Sequence, residues 1–156
     1  MPRKVIHIGS DHAGFELKRT LSSYLESHGV TVHDDGPREY DPDDDYPVYA
    51  QRVCRDVLAG KALGILICGT GQGMDIAANK MKGIYATVAW DEKTATTARE
   101  HDGANVLCLA SRVTKPDAAK RIVSLWLNAE PARAGRHLRR INEIKRMERQ
   151  NFKRAR

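Results

Sequence analysis

The sequence predicts an α/β protein in which helices cover both faces of a five-stranded parallel sheet, and three observations predict it. Short apolar runs alternate with segments of helical periodicity along most of the chain. The runs are rich in Val, Ile and Leu without clean alternation, as expected of strands buried on both faces. Gly, Pro and Asp mark a long turn, and no internal repeat or low-complexity linker suggests a domain boundary. Strand–helix–strand succession of this kind builds a parallel sheet with helices packed on each side. The 156 residues are therefore read as one three-layer, Rossmann-like domain spanning 1–156.

The strands are expected at Lys4–Gly9, Val30–Asp34, Leu63–Cys68, Gly83–Trp90 and Asn105–Ala110. Between them Ala13–His28, Tyr46–Gly60, Gly71–Met81, Asp91–Glu100 and Lys115–Leu127 carry apolar residues at helical spacing. The acidic stretch Asp34–Pro47 is a loop by its Pro, Gly and Asp content. A last helix is expected over 134–151, with a tail at 152–156. Its narrow apolar seam of Leu138, Ile141, Ile144 and Met147 suits packing on a partner subunit.

Charge and cysteine content narrow the function classes. The net charge of +6 is concentrated at the carboxyl terminus, where residues 131–156 hold ten Lys/Arg against two Glu. A basic tail raises a nucleic-acid reading, yet no aromatic residue beyond Phe152 interleaves with it, and a solvated terminal helix explains it equally. Three cysteines in this spacing fit neither a disulfide framework nor a zinc site. With no apolar run long enough for a signal peptide or membrane span, a cytoplasmic setting is expected.

The segment ILICGTGQGMDIAANK, Ile65–Lys80, carries the chemistry. Gly69, Gly71 and Gly73 let the backbone turn tightly and expose N–H groups to an anion or a developing oxyanion. It is not a P-loop, which needs Gly-Lys-Ser/Thr, and Met74 stands where a dinucleotide fingerprint needs its third glycine. Cys54 and Cys108 are read as small buried hydrophobes. Cys68 differs because it ends a strand at the lip of this loop, where amides stabilise a thiolate able to act as base or nucleophile.

These residues join a wider set. GSDHAGFELK, DYP at Asp45–Pro47, ICGTGQGMDIAANK, NVLCLASR and GRHLRR at Gly135–Arg140, in that order, resemble the type B ribose-5-phosphate isomerases, a family that includes the galactose-6-phosphate isomerase subunits. The resemblance implies aldose–ketose isomerisation of a sugar phosphate, first of all ribose 5-phosphate to ribulose 5-phosphate, with no metal or cofactor. It also implies a homodimer or dimer of dimers with active sites shared between subunits. By the same resemblance Cys68 is the base that moves a proton between C1 and C2. Thr70, Gly71 and Gly73, next to Gly69, hold the enediolate oxygens. Asp11 and His101 serve ring opening, with His12 close by, and Tyr46 lines the substrate pocket. Arg112, Arg136 and Arg140 bind the phosphate, with His137 a further candidate ligand.

The chemistry suits these residue types. Preorganised N–H donors stabilise an enediolate, each contributing about 2.7–4 kcal/mol in an oxyanion hole. A base poised near neutrality adds roughly 10²–10⁴-fold. Imidazole titrates near working pH, and Arg136 and Arg140, four apart, share a helical face. Plainer roles compete: Asp11 as a helix cap and His101 as a surface residue ending a helix. The chain departs from the family at His101-Asp102-Gly103, where His-Asn-Asn or His-Asn-Asp is usual. An ionised aspartate only accepts hydrogen bonds, so Asp102 leaves a four- or six-carbon aldose phosphate open as substrate. A nucleotide- or nucleic-acid-binding module and a cysteine hydrolase stand as readings from other classes.

Overall fold

The computed structural model describes residues 4–152; the last four residues of the expected tail lie outside the described residues. Five strands form one sheet: β1 (Val5–Ser10), β2 (Thr31–Asp34), β3 (Leu63–Cys68), β4 (Ala86–Val88) and β5 (Val106–Ala110). All are parallel, in the order β2-β1-β3-β5-β4. Among the described residues six α-helices connect or follow them: α1 (Phe15–Ser27), α2 (Tyr46–Gly60), α3 (Gln72–Ala78), α4 (Glu92–Glu100), α5 (Pro116–Asn128) and α6 (Gly135–Asn151). None of the described helices is long and apolar enough to cross a membrane.

Period-two geometry divides the core. Ile65 and Ile67 of β3 point to one face, where Leu17, Leu21 and Leu25 of α1 and Ile122, Val123 and Trp126 of α5 cover them. Leu66 and Cys68 point to the other, against Val53, Cys54 and Val57 of α2 and Met74 and Ala78 of α3. Double coverage explains why the strands read as unbroken apolar runs.

Two expected elements are shorter than their patterns. The run Gly83–Trp90 yields only Ala86–Val88 as strand, because it lies at the sheet edge. There the Asn79 side chain occupies both the N–H and the carbonyl of Ala86, and the Asn105 side chain holds Tyr85 N and Gly83 O. The helix expected over Gly71–Met81 starts at Gln72, since Gly71 has φ 75°, and stops at Ala78. Its last turn tightens, with Lys80 and Met81 donating to Ala77 and Ala78.

The β1–α1 junction packs its backbone closely on the sheet. A Cβ on Gly14 would lie 2.6 Å from Ile67 O and 2.7 Å from Ile67 Cγ2. Since the carbonyl belongs to a central strand, it cannot yield. Gly14→Ala is expected to cost about 1–3 kcal/mol through overpacking. At roughly 2–4 °C per kcal/mol, thermal denaturation should show the loss directly; an unchanged midpoint would mean the junction is softer than its packing.

Candidate active site

In open α/β sheets ligands bind outside the carboxyl ends of the strands, where the chain switches direction. Here β1 and β3 are neighbours, with α1 leaving to one face and α2 arriving on the other. Asp11 follows β1 and Cys68 ends β3, and Asp11 N donates to Ile67 O at 3.2 Å across this switch. Both side chains are therefore delivered by the sheet register to the strand ends where such folds form their crevice.

Cys68 is buried at the end of β3. It retains 4% exposure, whereas Cys54 and Cys108 have none. Its Sγ accepts a hydrogen bond from Gly71 N at 3.2 Å, so one loop amide is aimed at the sulfur. Positive φ at Gly71 turns that N–H back over the strand end. Among the described residues the other two thiols have no such donor: burial pushes the Cys54 thiol up to about 12, and burial raises Cys108 as well.

The remaining glycines are places of close approach. A Cβ on Gly69 would stand 2.8 Å from Cζ of Arg112, whose guanidinium lies across the loop. One on Gly73 would meet the Tyr46 ring at 2.6 Å. Thr70 is exposed, and its Oγ1 accepts from Gln72 N at 3.4 Å. Arg112 and Tyr46 thus flank the Cys68 loop from the chain ends that follow β5 and open α2.

Asp11 is 6% exposed, and its Oδ1 accepts from Gly14 N at 3.1 Å, capping the turn before α1. The expected cap is real, and Oδ2 is the oxygen left for other work. His12 Nδ1 pairs with Asp44 Oδ1 at 2.8 Å. That hydrogen bond to Asp44 is the main cause that raises His12 above the ordinary histidine value, with the Asp11 charge adding and burial and Arg112 opposing.

A second group gathers elsewhere. The rings of His101 and His137 stack at 4.0 Å and 10°. Burial first, then the charges of His101, Arg136 and Arg140, hold His137 below its ordinary value, with Asp102 opposing. Arg136 and Arg140 are exposed on the first turns of α6. This group holds every expected residue that the Cys68 crevice lacks.

The two groups lie at opposite ends of the strands. The stretch HDGAN leads into β5, so it belongs to the amino ends of the strands, not the carboxyl ends. Cys68 pairs in register with Ala110, the last residue of β5, while His101 precedes its first residue, Val106. The length of β5 alone separates them by about 13 Å. The physical reason is that α4 runs back against the strand direction and returns the chain to the far end.

Helix α6 lies at that far end. Ile141 packs on Gly103, and the Glu148 carboxylate accepts from Gly83 N and the Tyr85 hydroxyl, all next to the starts of β4 and β5. The expected seam is thus divided: Ile141 is buried in its own chain, while Ile144 is 42% and Met147 60% exposed.

Sequence reasoning passed over two residues of the crevice. Asp44 looked like any of its acidic neighbours in the loop. Ser111 follows β5 without a motif, yet its Oγ donates to Ala13 O at 2.7 Å and Cys68 O at 3.1 Å, tying three strand ends together. A lone hydroxyl at the carboxyl end of a central strand was the available signal.

Known proteins match this arrangement along nearly the whole chain. A family model described as Ribose/Galactose Isomerase matches residues 6–144. A probable ribose-5-phosphate isomerase B of Mycoplasma pneumoniae is 49% identical over 140 residues, covering 89% of this chain and 91% of that one. A D-erythrulose-4-phosphate isomerase of Pectobacterium atrosepticum is 43% identical over 129 residues, covering 80% and 83%. The crystal structure of ribose-5-phosphate isomerase B from Mycoplasma genitalium with bound ribulose-5-phosphate superposes with TM-score 0.90 at 46% identity, covering 94% and 97%.

Proposed function

The chain belongs to the Ribose/Galactose Isomerase family, and from that premise we propose that it interconverts ribose 5-phosphate and ribulose 5-phosphate in the cytoplasm. The observation that carries the mechanism is the Gly71 amide directed at the Cys68 sulfur, at the foot of a crevice flanked by Arg112 and Tyr46.

Ring opening comes first, with Asp11 and His101 moving the proton between the ring oxygen and the anomeric hydroxyl. The Cys68 thiolate then takes the C2 proton of the open aldehyde. The C–H electron pair forms the C1=C2 bond, and the carbonyl pair moves onto O1. Donors of the Thr70–Gly73 loop hold the resulting enediolate. The Cys68 thiol returns its proton to C1 while the O2 proton passes to O1, leaving the ketose. Atoms and charge balance without a nicotinamide or a metal.

The functional unit is a homodimer in this reading. His101, Arg136, His137 and Arg140 reach a Cys68 crevice only when a second copy supplies them, since the two groups face opposite ends of the strands of one sheet. Exposed Ile144, Met147 and Phe152 along α6 give such a copy apolar surface to cover. Arg136 and Arg140 of the second copy then face Arg112 across the substrate phosphate, a bidentate arrangement.

A four-carbon aldose phosphate is the second reading, favoured by Asp102 and by the name of the Pectobacterium relative. Four-, five- and six-carbon aldose phosphates, tested for ketose formation with and without a chelator, separate the two. Ribose 5-phosphate is expected to give the highest kcat/KM, unchanged by the chelator. Preference for the four-carbon sugar would transfer the assignment, and no ketose from any of them would end it.

A further inference from the structure

The acidic loop before α2 reaches into the crevice through one residue. Asp44 has a side chain only 4% exposed, unlike the exposed Asp41, Asp43 and Asp45 beside it. Its Oδ1 accepts from both the backbone N (2.9 Å) and the ring Nδ1 (2.8 Å) of His12. Two donors from one residue on one oxygen leave the carboxylate little freedom and fix the imidazole in a single orientation. With Nδ1 engaged, Nε2 is the ring nitrogen left for a ligand.

The other carboxylate oxygen makes the pair unusual. Asp44 Oδ2 is buried and makes no close hydrogen bond among the described residues; the Tyr49 hydroxyl stands near the carboxylate. An ionised carboxylate left half satisfied in a buried place is costly unless a cation stands against it. His12 is the group in that position. Resting on the isomerase reading, we propose that Asp44 is a positioning residue: it orients His12 and holds it as the imidazolium, so that Nε2–H and the Arg112 guanidinium together grip the anionic end of the substrate.

The surrounding charges agree in sign. Asp11 from the end of β1 and Asp44 from the loop favour the protonated ring, while Arg112 from beyond β5 opposes it. On the α2 side, Tyr49 faces Asp44: burial first, then the Asp44 charge, raise its hydroxyl above the ordinary tyrosine value. A hydrogen bond to Asp44 and the Asp41 charge add to this, and Arg52, 5.4 Å from its ring, opposes. A raised imidazole is charged below its folded pKa and loses its charge as pH climbs through it. The grip is therefore present at acid and neutral pH and lost on the alkaline side.

Asp44→Asn tests this, because the amide oxygen still accepts from His12 while the charge is gone. In the unaltered protein, an imidazole NMR titration should place His12 above the ordinary histidine value, and inorganic phosphate should move it further up. In Asp44→Asn the midpoint should fall. KM for ribose 5-phosphate should rise about tenfold near pH 7.5, the scale of one charge-assisted hydrogen bond, with kcat within about threefold. The KM ratio of variant to parent should shrink toward one near pH 5.5, where both imidazoles are charged. Equal His12 midpoints in the two proteins, or a KM ratio constant with pH, would overturn the proposal. Should the variant not fold, a His12 midpoint at or below the ordinary value in the unaltered protein would do the same. The titration needs no turnover, so a protein inactive on ribose 5-phosphate would fail the isomerase reading while His12 still decides the role of Asp44.

Discussion

Cys68→Ala is expected to lower kcat by about 10²–10⁴-fold, the range a general base contributes, while calorimetric affinity for ribose 5-phosphate stays within about threefold. The sulfur lies under the Gly71 amide and packs with the α2–α3 cluster, so the methyl of alanine keeps the floor of the crevice without a proton acceptor. Cys54→Ala is the control. That thiol is fully buried, pushed up to about 12, and its loss should touch stability alone. Full turnover in Cys68→Ala would assign the proton transfer to another group, and equal losses in both variants would reduce Cys68 to a packing residue.

The second large effect is a gain. His101→Ala should be nearly inactive by itself, like Cys68→Ala. When the two are unfolded together and refolded as a mixture, about half of the dimers pair one chain of each kind under random assortment. Each such dimer holds one crevice with both residues intact and one with neither. About a quarter of the parent activity should therefore return. Activity that stays at the sum of the separate variants would mean that Cys68 and His101 do not work in one shared site. The test follows from chain direction alone, since β5 and the return of α4 put the two residues at opposite ends of the strands.

Much of this architecture was legible in residue order. The runs around Ile65 and Leu107 lack alternation because both faces are covered, and β3 occupies the residues its pattern predicts. Cys68 could be told from Cys54 and Cys108 by the glycines after it. Less visible was which end of the sheet each motif occupies. GSDHAG and CGTGQG follow strands, whereas HDGAN precedes one, and that difference of direction separates His101 from Cys68 even though all three look like strand-flanking loops. Side-chain ties were hidden too. Nothing in Asp34–Pro47 distinguishes Asp44 from its neighbours, because its role depends on a partner 32 residues earlier in the chain. The shortening of β4 likewise rests on Asn79 and Asn105, whose amides replace a neighbouring strand.

The return of α4 to the far end also bears on how such a protein can diversify. Where a second copy completes each site, as proposed, a chain carrying two unlike half-sites on opposite rims is under selection at each rim separately. After gene duplication, one copy can let its sulfur-bearing rim decay while the other loses its arginine-bearing rim, and the pair remains competent as a mixed assembly. Mutually dependent paralogues are thus accessible to this fold by loss alone, with no new contact having to be invented.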